Sequence, residues 1–267
     1  MNTLKNIGIN IRPNLTYGVD PFAECIASVG FNCFFTYGNE KDFIEHLANK
    51  AQATGLIYEA LHAPADGIND LWLDGEKGDN TESLLKESIC LASEYGIPTV
   101  IMHVSSKENC PHVTDIGLKR FDSAVNAAAK KNIGIAIENQ RKLGNIATLL
   151  EIYGKDSNVG FCWDVGHEKC FANGREYMPL FGDRCMLTHI HDNNCMYNVD
   201  EHLLPFDGQI DFRRTAELLH NFNYNGTLML EIDLPHEGND KYSDLSLEQF
   251  AAKAYAAINR LRILSEY

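Results

Sequence analysis

The sequence predicts an α/β chain closed into one (β/α)₈ barrel, a single domain over residues 1–267, and three observations carry that reading. Short apolar, β-branched runs alternate with longer amphipathic segments from one end to the other, the pattern of β-then-α units on a parallel sheet. The turn after the first run reads Asn10-Ile11-Arg12-Pro13-Asn14, without the glycine-rich phosphate loop of an open doubly wound sheet. A length of 267 residues suits such a barrel, which takes roughly 250.

In chain order, the expected strands are 7–11, 33–37, 56–61, 99–103, 134–138, 160–164, 186–191 and 227–232. Each is a short run rich in Ile, Val, Phe, Thr or Leu. Helical spacing of apolar residues predicts helices over 21–29, 41–54, 80–95, 116–131, 145–153, 212–221 and 247–264, with a weaker pattern over 175–181. Gly30, Gly55, Gly96 ahead of Pro98, Gly154 and Gly226 mark the helix-to-strand connections.

A hydrophobic content of 45% supports a sizeable core and excludes a disordered chain. No apolar run approaches the roughly 18 residues of a membrane span, and the first residues lack a signal-peptide core, so a cytoplasmic protein without membrane contacts is expected. The net charge of −14 argues against a surface built for nucleic acid. The eight cysteines form no C-x-x-C pair; they read as reduced, mostly buried thiols rather than disulfides or a sulfur-ligated zinc site.

The ends of the strands carry the chemistry. The third stops at His62, the fourth at His103, the fifth at Glu138 and the sixth at Asp164, with His167 close behind. The seventh runs out through His189-Ile190-His191-Asp192, and the eighth through Glu231-Ile232-Asp233. One polar strand end is ordinary, but a succession of them in a barrel converges on the face where active sites are built. Glu138, Asp164, His191 and Glu231 form an oxygen and nitrogen ligand set suited to Mn²⁺, Mg²⁺, Co²⁺ or Zn²⁺. Carboxylates gathered there would repel one another without a cation.

Alternation puts His189 and His191 on one side of their strand. His191, nearer the mouth, is the expected ligand, and His189 a substrate contact, a support or a barrel-filling residue. Asp200 and His202 share a face of the loop after the seventh strand. Arg12 and Arg141 follow strand ends, where a guanidinium could hold a phosphate, a carboxylate or a neighbouring acid. Trp72 and Trp163 read as packing residues, and His46, His112, His220 and His236 as surface or structural ones.

These residues resemble the xylose isomerase-like TIM-barrel superfamily, which includes sugar isomerases, ketose 3-epimerases, inosose dehydratases and endonuclease IV. The likeness spans the chain and rests on Leu61-His62-Ala63-Pro64, Ile137-Glu138-Asn139, Asp164-Val165-Gly166-His167, His189-Ile190-His191-Asp192-Asn193, Asp200-Glu201-His202 with Gly208-Gln209-Ile210-Asp211-Phe212, and Tyr224-Asn225-Gly226 before Leu230-Glu231-Ile232. Resemblance to the epimerase-like members implies one metal, often manganese, on Glu138, Asp164, His191 and Glu231. There Glu138 and Glu231 double as the acid/base pair, and His167 contacts substrate. Resemblance to endonuclease IV implies a three-zinc cluster on His62, His103, Glu138, Asp164, His167, His191, Asp200, His202 and Glu231. The chain departs from the nuclease pattern at Glu201 and at Gln140-Arg141, and it lacks the arginine of the epimerases shortly after strand seven.

The expected activity is metal-dependent isomerisation or epimerisation of a sugar or sugar derivative. Proton transfer would pass through an enediolate between Glu138 and Glu231, with His62, His103, His167, Arg12 and Arg141 on the substrate. Manganese is the expected ion, with zinc, cobalt and magnesium as alternatives. An endonuclease IV-like zinc phosphodiesterase and a non-catalytic sugar-binding or lyase-subunit barrel are the competing readings. The expected partner is a small sugar rather than nucleic acid; homo-oligomerisation is left open.

Overall fold

The computed structural model describes residues 4–236 and 241–266; positions 1–3, 237–240 and 267 of the expected domain lie outside the described residues. The strands are β1 (Ile7–Asn10), β2 (Cys33–Tyr37), β3 (Ile57–His62), β4 (Thr99–Met102), β5 (Gly134–Glu138), β6 (Val159–Asp164), β7 (Cys185–Ile190) and β8 (Leu228–Leu230). Every neighbouring pair is parallel, and β8 pairs back onto β1, which closes the barrel in sequence order.

Around the strands lie α1 (Val19–Val29), α2 (Lys41–Thr54), α3 (Glu76–Glu94), α4 (Asp115–Lys130), α5 (Leu143–Ile152), α6 (Val165–Phe171), α7 (Met178–Phe181), α8 (Phe212–Asn221) and α9 (Leu247–Leu264). Gly30 and Gly55 end α1 and α2 in the left-handed region, at φ 110° and 77°, where a side chain would be strained. Among the described residues no helix is long and apolar enough to cross a membrane. All eight cysteines are free thiols; Cys25, Cys33, Cys110, Cys162 and Cys170 are buried, whereas Cys90 and Cys195 are exposed.

Two apolar layers follow from the period-two alternation of the strands. Ile135 and Ile137 of β5, and Phe161 and Trp163 of β6, face outward into the large core shared with the helices. Phe35, Ala60, Ile101, Ala136, Cys162, Leu187 and Met229 instead fill the inside of the barrel. Trp72 and Trp163 are packing residues whose indole N–H groups donate to the Val104 carbonyl and to Glu168 Oε2, each at 2.8 Å.

The connection from β6 to β7 departs most from expectation. The chain does not run into a loop at Asp164 but starts α6 there, because the Asp164 carboxylate caps the helix by accepting the His167 amide at 2.6 Å. The weak helical pattern over 175–181 condenses to the single turn of α7. β4 and β8 end one residue short of His103 and Glu231, which sit on the first residues of the loops.

Candidate metal centre and active site

Two residues beyond the inner apolar layer, β2 to β8 each present their next inward side chain at or next to the strand end. Phe35 leads to Tyr37, Ala60 to His62, Ile101 to His103, Ala136 to Glu138, Cys162 to Asp164, Leu187 to His189 and Met229 to Glu231. Alternation therefore builds a ring of imidazoles and carboxylates at the C-terminal mouth. It also separates the two histidines at the end of β7. His189 belongs to this ring, whereas His191 stands one step further out.

Besides a trio of Glu138 and His189 with the buried thiol of Cys162, the side chains gather into three donor groups of imidazole and carboxylate: His62 with His103 and Glu138; Glu138 with Asp164, His189 and Glu231; and His167 with His191, Asp200 and His202. Of these three, Glu138 belongs to the first two. The group in which sequence reasoning placed His191 contains His189 instead, while His191 stacks on His202 at 3.9 Å between ring centroids and lies 3.0 Å from Asp164 Oδ1. Asp200 and His202 reach the site because the intervening loop is anchored by Asp192, whose carboxylate accepts the amides of Asn193, Phe206, Gly208 and Ile210 at 2.8–2.9 Å.

The hydrogen bonding of the rings shows what the groups require. His62 Nδ1 lies 2.8 Å from the Ala63 carbonyl and His202 Nδ1 2.8 Å from that of Glu231. A carbonyl only accepts, so each Nδ1 carries a proton, and Nε2, bearing either a second proton or a lone pair, is turned into the mouth. The Nε2 atoms of these rings and of His167 face carboxylate oxygens: His62 to Glu138 at 3.2 Å, and His167 and His202 to Asp200 at 3.0 and 3.1 Å. Lone pair against anion is repulsive unless the ring is protonated or a cation lies between. His189 Nδ1 is 3.1 Å from Glu138 Oε2 and 3.0 Å from Glu231 Oε2, yet it and Glu231 Oε2 make no hydrogen bond. Donors bound 2.0–2.1 Å from one tetrahedral ion stand roughly 3.3 Å apart, close to these separations. The residues fit divalent cations.

Electrostatics agree. Burial alone would raise the Glu138 carboxyl, but His103 and His189 outweigh it and hold it well below the usual carboxylate range. Glu231 is likewise buried yet held low, mainly by His189. Its Oε1 accepts the Tyr37 hydroxyl at 2.9 Å, and it borders an open cavity of about 520 Å³.

That cavity brings together Arg12, His62, His103, His167 and Arg141, the residues expected on the substrate. Arg12 packs over the Tyr37 ring at 4.7 Å, and Arg141 over Phe171 at 3.6 Å. Sequence reasoning passed over Tyr37, although it ends β2 by the same two-residue rule, and Gln140. Buried Gln140 places its Nε2 3.0 Å from His167 Nδ1 and 3.3 Å from His103 Nε2. Asn139 clamps the Asp164 backbone through both ends of its amide, each bond 2.8 Å.

Fold and site together define a (β/α)₈ barrel with a histidine- and carboxylate-lined mouth. The chain belongs to the xylose isomerase-like TIM barrel family, whose model matches residues 23–252. An uncharacterized protein of Sinorhizobium fredii, y4fM, is 32% identical over 192 residues, a match that takes in 67% of this chain and 59% of that relative. The chain therefore spans about three fifths of that relative's length. Among solved structures, D-allulose 3-epimerase from Methylomonas sp. superposes with a TM-score of 0.74 at 16% identity, covering 96% of this chain and 97% of its own. The 3-keto-D-glucoside 4-epimerase of E. coli gives 0.71 at 16% identity, covering 97% and 99%. Sugar epimerases are thus among the structural neighbours, at identities that speak for the fold.

Proposed function

We propose that this protein is a metal-dependent enzyme acting on a sugar or sugar derivative, and that its reaction is an isomerisation or epimerisation with Glu231 as the proton-transfer group. The observation that carries the metal is the convergence of imidazole nitrogens and carboxylate oxygens at 3.0–3.2 Å in the mouth, a crowding that needs either protonated rings or a divalent ion in their place. A divalent ion bound there would polarise substrate oxygens and stabilise the charge that develops when a neighbouring C–H is deprotonated. Glu231 suits the proton transfer because it borders the cavity and Tyr37 orients it. Glu138 lies among the imidazoles of His62, His103, His167 and His189, so we assign it first as a shared ligand. It is also assigned as the second acid/base of the pair. His167, His62 and His103 either hold further ions or contact substrate hydroxyls, and Arg12 and Arg141 form the outer wall.

The outer donor groups favour one other reading, a multinuclear phosphoester hydrolase that uses all three groups. Elemental analysis of protein purified without chelators separates the two. About one ion per chain supports the isomerase, and close to three turns the assignment to hydrolysis. For the isomerase, Glu231→Gln is expected to slow exchange of the substrate proton with deuterated solvent by roughly 10²–10⁴-fold; undiminished exchange would remove Glu231 from that role.

A further inference from the structure

Past Arg141 the central cavity adjoins a side pocket of about 400 Å³, lined by Asn69, Lys107, Glu108, Asn109, Arg141 and Asn198. Arg141 borders both spaces. Its Cζ lies over the Phe171 ring, 3.6 Å from the centroid, and its Nε and Nη2 both donate to Asn198 Oδ1, at 2.9 and 2.5 Å. These bonds occupy one edge of the fork. The Nη1 protons and the second Nη2 proton remain, the paired edge that meets an oxyanion with two parallel hydrogen bonds.

The charge balance of the pocket runs against that of the chain. Among the described residues neither Arg141 nor Lys107 forms an ion pair within 4.0 Å, and the one acid in the lining, Glu108, is engaged by the Tyr197 hydroxyl at 3.0 Å. The lining carries two cations to one acid in a chain of net charge −14, and, unlike the lysine-lined surface pocket of Lys86, Lys130 and Lys131, it shares Arg141 with the central cavity. Arg12 differs, because Glu231 and Asp233 lie close enough to balance its charge.

We infer that this side pocket seats an oxyanion carried by the substrate, so that the enzyme takes an anionic sugar derivative with its polyol end at the metal donors and its phosphate or carboxylate between Arg141 and Lys107. The inference rests on the cavity being the substrate site, as proposed above. A neutral sugar would offer the open edge of Arg141 only hydroxyl acceptors, with no charge to match the guanidinium. An oxyanion completes it and is drawn in by the ammonium of Lys107.

The test is calorimetric binding of D-fructose, D-fructose 6-phosphate and D-gluconate to the full chain, both metal-loaded and chelator-treated. At least one anionic probe is expected to bind roughly tenfold or more tightly than fructose, the size of one or two charge-assisted hydrogen bonds. Arg141→Gln should abolish that preference and Lys107→Gln weaken it, with melting temperature and metal content unchanged; Arg141→Lys should restore only part. Preference for the phosphate alone, or for the carboxylate alone, identifies which anion the pocket takes. Equal affinity for all three probes overturns the inference, as does a preference that survives in Arg141→Gln. Chelator-treated protein keeps the two proposals apart. A preference lost with Arg141 there stands even if the metal chemistry fails, and one that vanishes with the metal alone puts the anion on the donor groups instead.

Discussion

His189 and His202 each face two opposing influences. Burial disfavours a charged ring, but Asp200 and Glu231 raise His202 to about 9, while Glu231 and Glu138 raise His189 to about 10. In metal-free protein both rings are therefore protonated at neutral pH. The ion pairs they make contribute their full stability below the unfolded histidine value of about 6.5 and lose it as pH rises through about 9 to about 10. The melting temperature of chelator-treated protein is expected to fall across that upper window; a rise there would mean the rings are neutral. An incoming cation must displace these protons, so metal affinity should increase by about tenfold per pH unit for each proton released. Titration calorimetry in two buffers of different ionisation enthalpy would count them. The residue scale is also where the sequence was least legible. Thr188-His189-Ile190-His191 fixes that both rings share a face, yet gives no height along the barrel axis. Height comes from the pairing of β7 with β6 and β8, which sets His189 beside Asp164 and Met229.

At the scale of elements, the connection from β6 into α6 is the most constrained part of the site. Asp164 serves at once as the cap of α6 and as a member of a donor group, and Gly166 lies directly under the His191 ring. A Cβ at Gly166 would stand 1.9 Å from His191 Cε1 and 2.3 Å from its Nδ1, closer than atoms can approach. Gly166→Ala must therefore displace His191 or tilt α6. The expected cost is about 1–3 kcal/mol of stability in urea unfolding, typical of overpacking, together with weaker metal binding in the group of His167, Asp200 and His202. Unchanged stability and metal content would show that the helix absorbs the methyl elsewhere. Most strand cores and helices could be read from the sequence, because a long amphipathic pattern or a short β-branched run reports its own period. The start of α6 could not. It depends on a side-chain cap and on a neighbouring strand's ring, neither of which leaves a periodic trace.

For the whole molecule, the mouth gathers the carboxylates Glu138, Asp164, Asp200 and Glu231 in a chain already at −14. Cations that bind only the folded state stabilise it by mass action, by about 2.7 kcal/mol at a hundred times the dissociation constant. For a chain of this size that corresponds to roughly 5–10 °C in melting temperature. Differential scanning calorimetry with manganese or zinc against chelator is expected to show a shift of that order. A melting temperature indifferent to both ions would leave the donor groups held by protonated histidines and would remove the metal from the proposed chemistry.

The sequence by itself determined the barrel, the side chains of the mouth and the family, because period-two alternation and strand-end chemistry are written locally. Only the tertiary structure decided which donors meet. It divided the histidines and acids into separate groups, two of them sharing Glu138, set His189 rather than His191 in the central one, and brought Tyr37, Gln140 and the Arg141 side pocket to the cavity. Each of these is a distance between residues far apart in the chain, set by strand register and by the closure of β8 onto β1, and a linear pattern does not encode such distances.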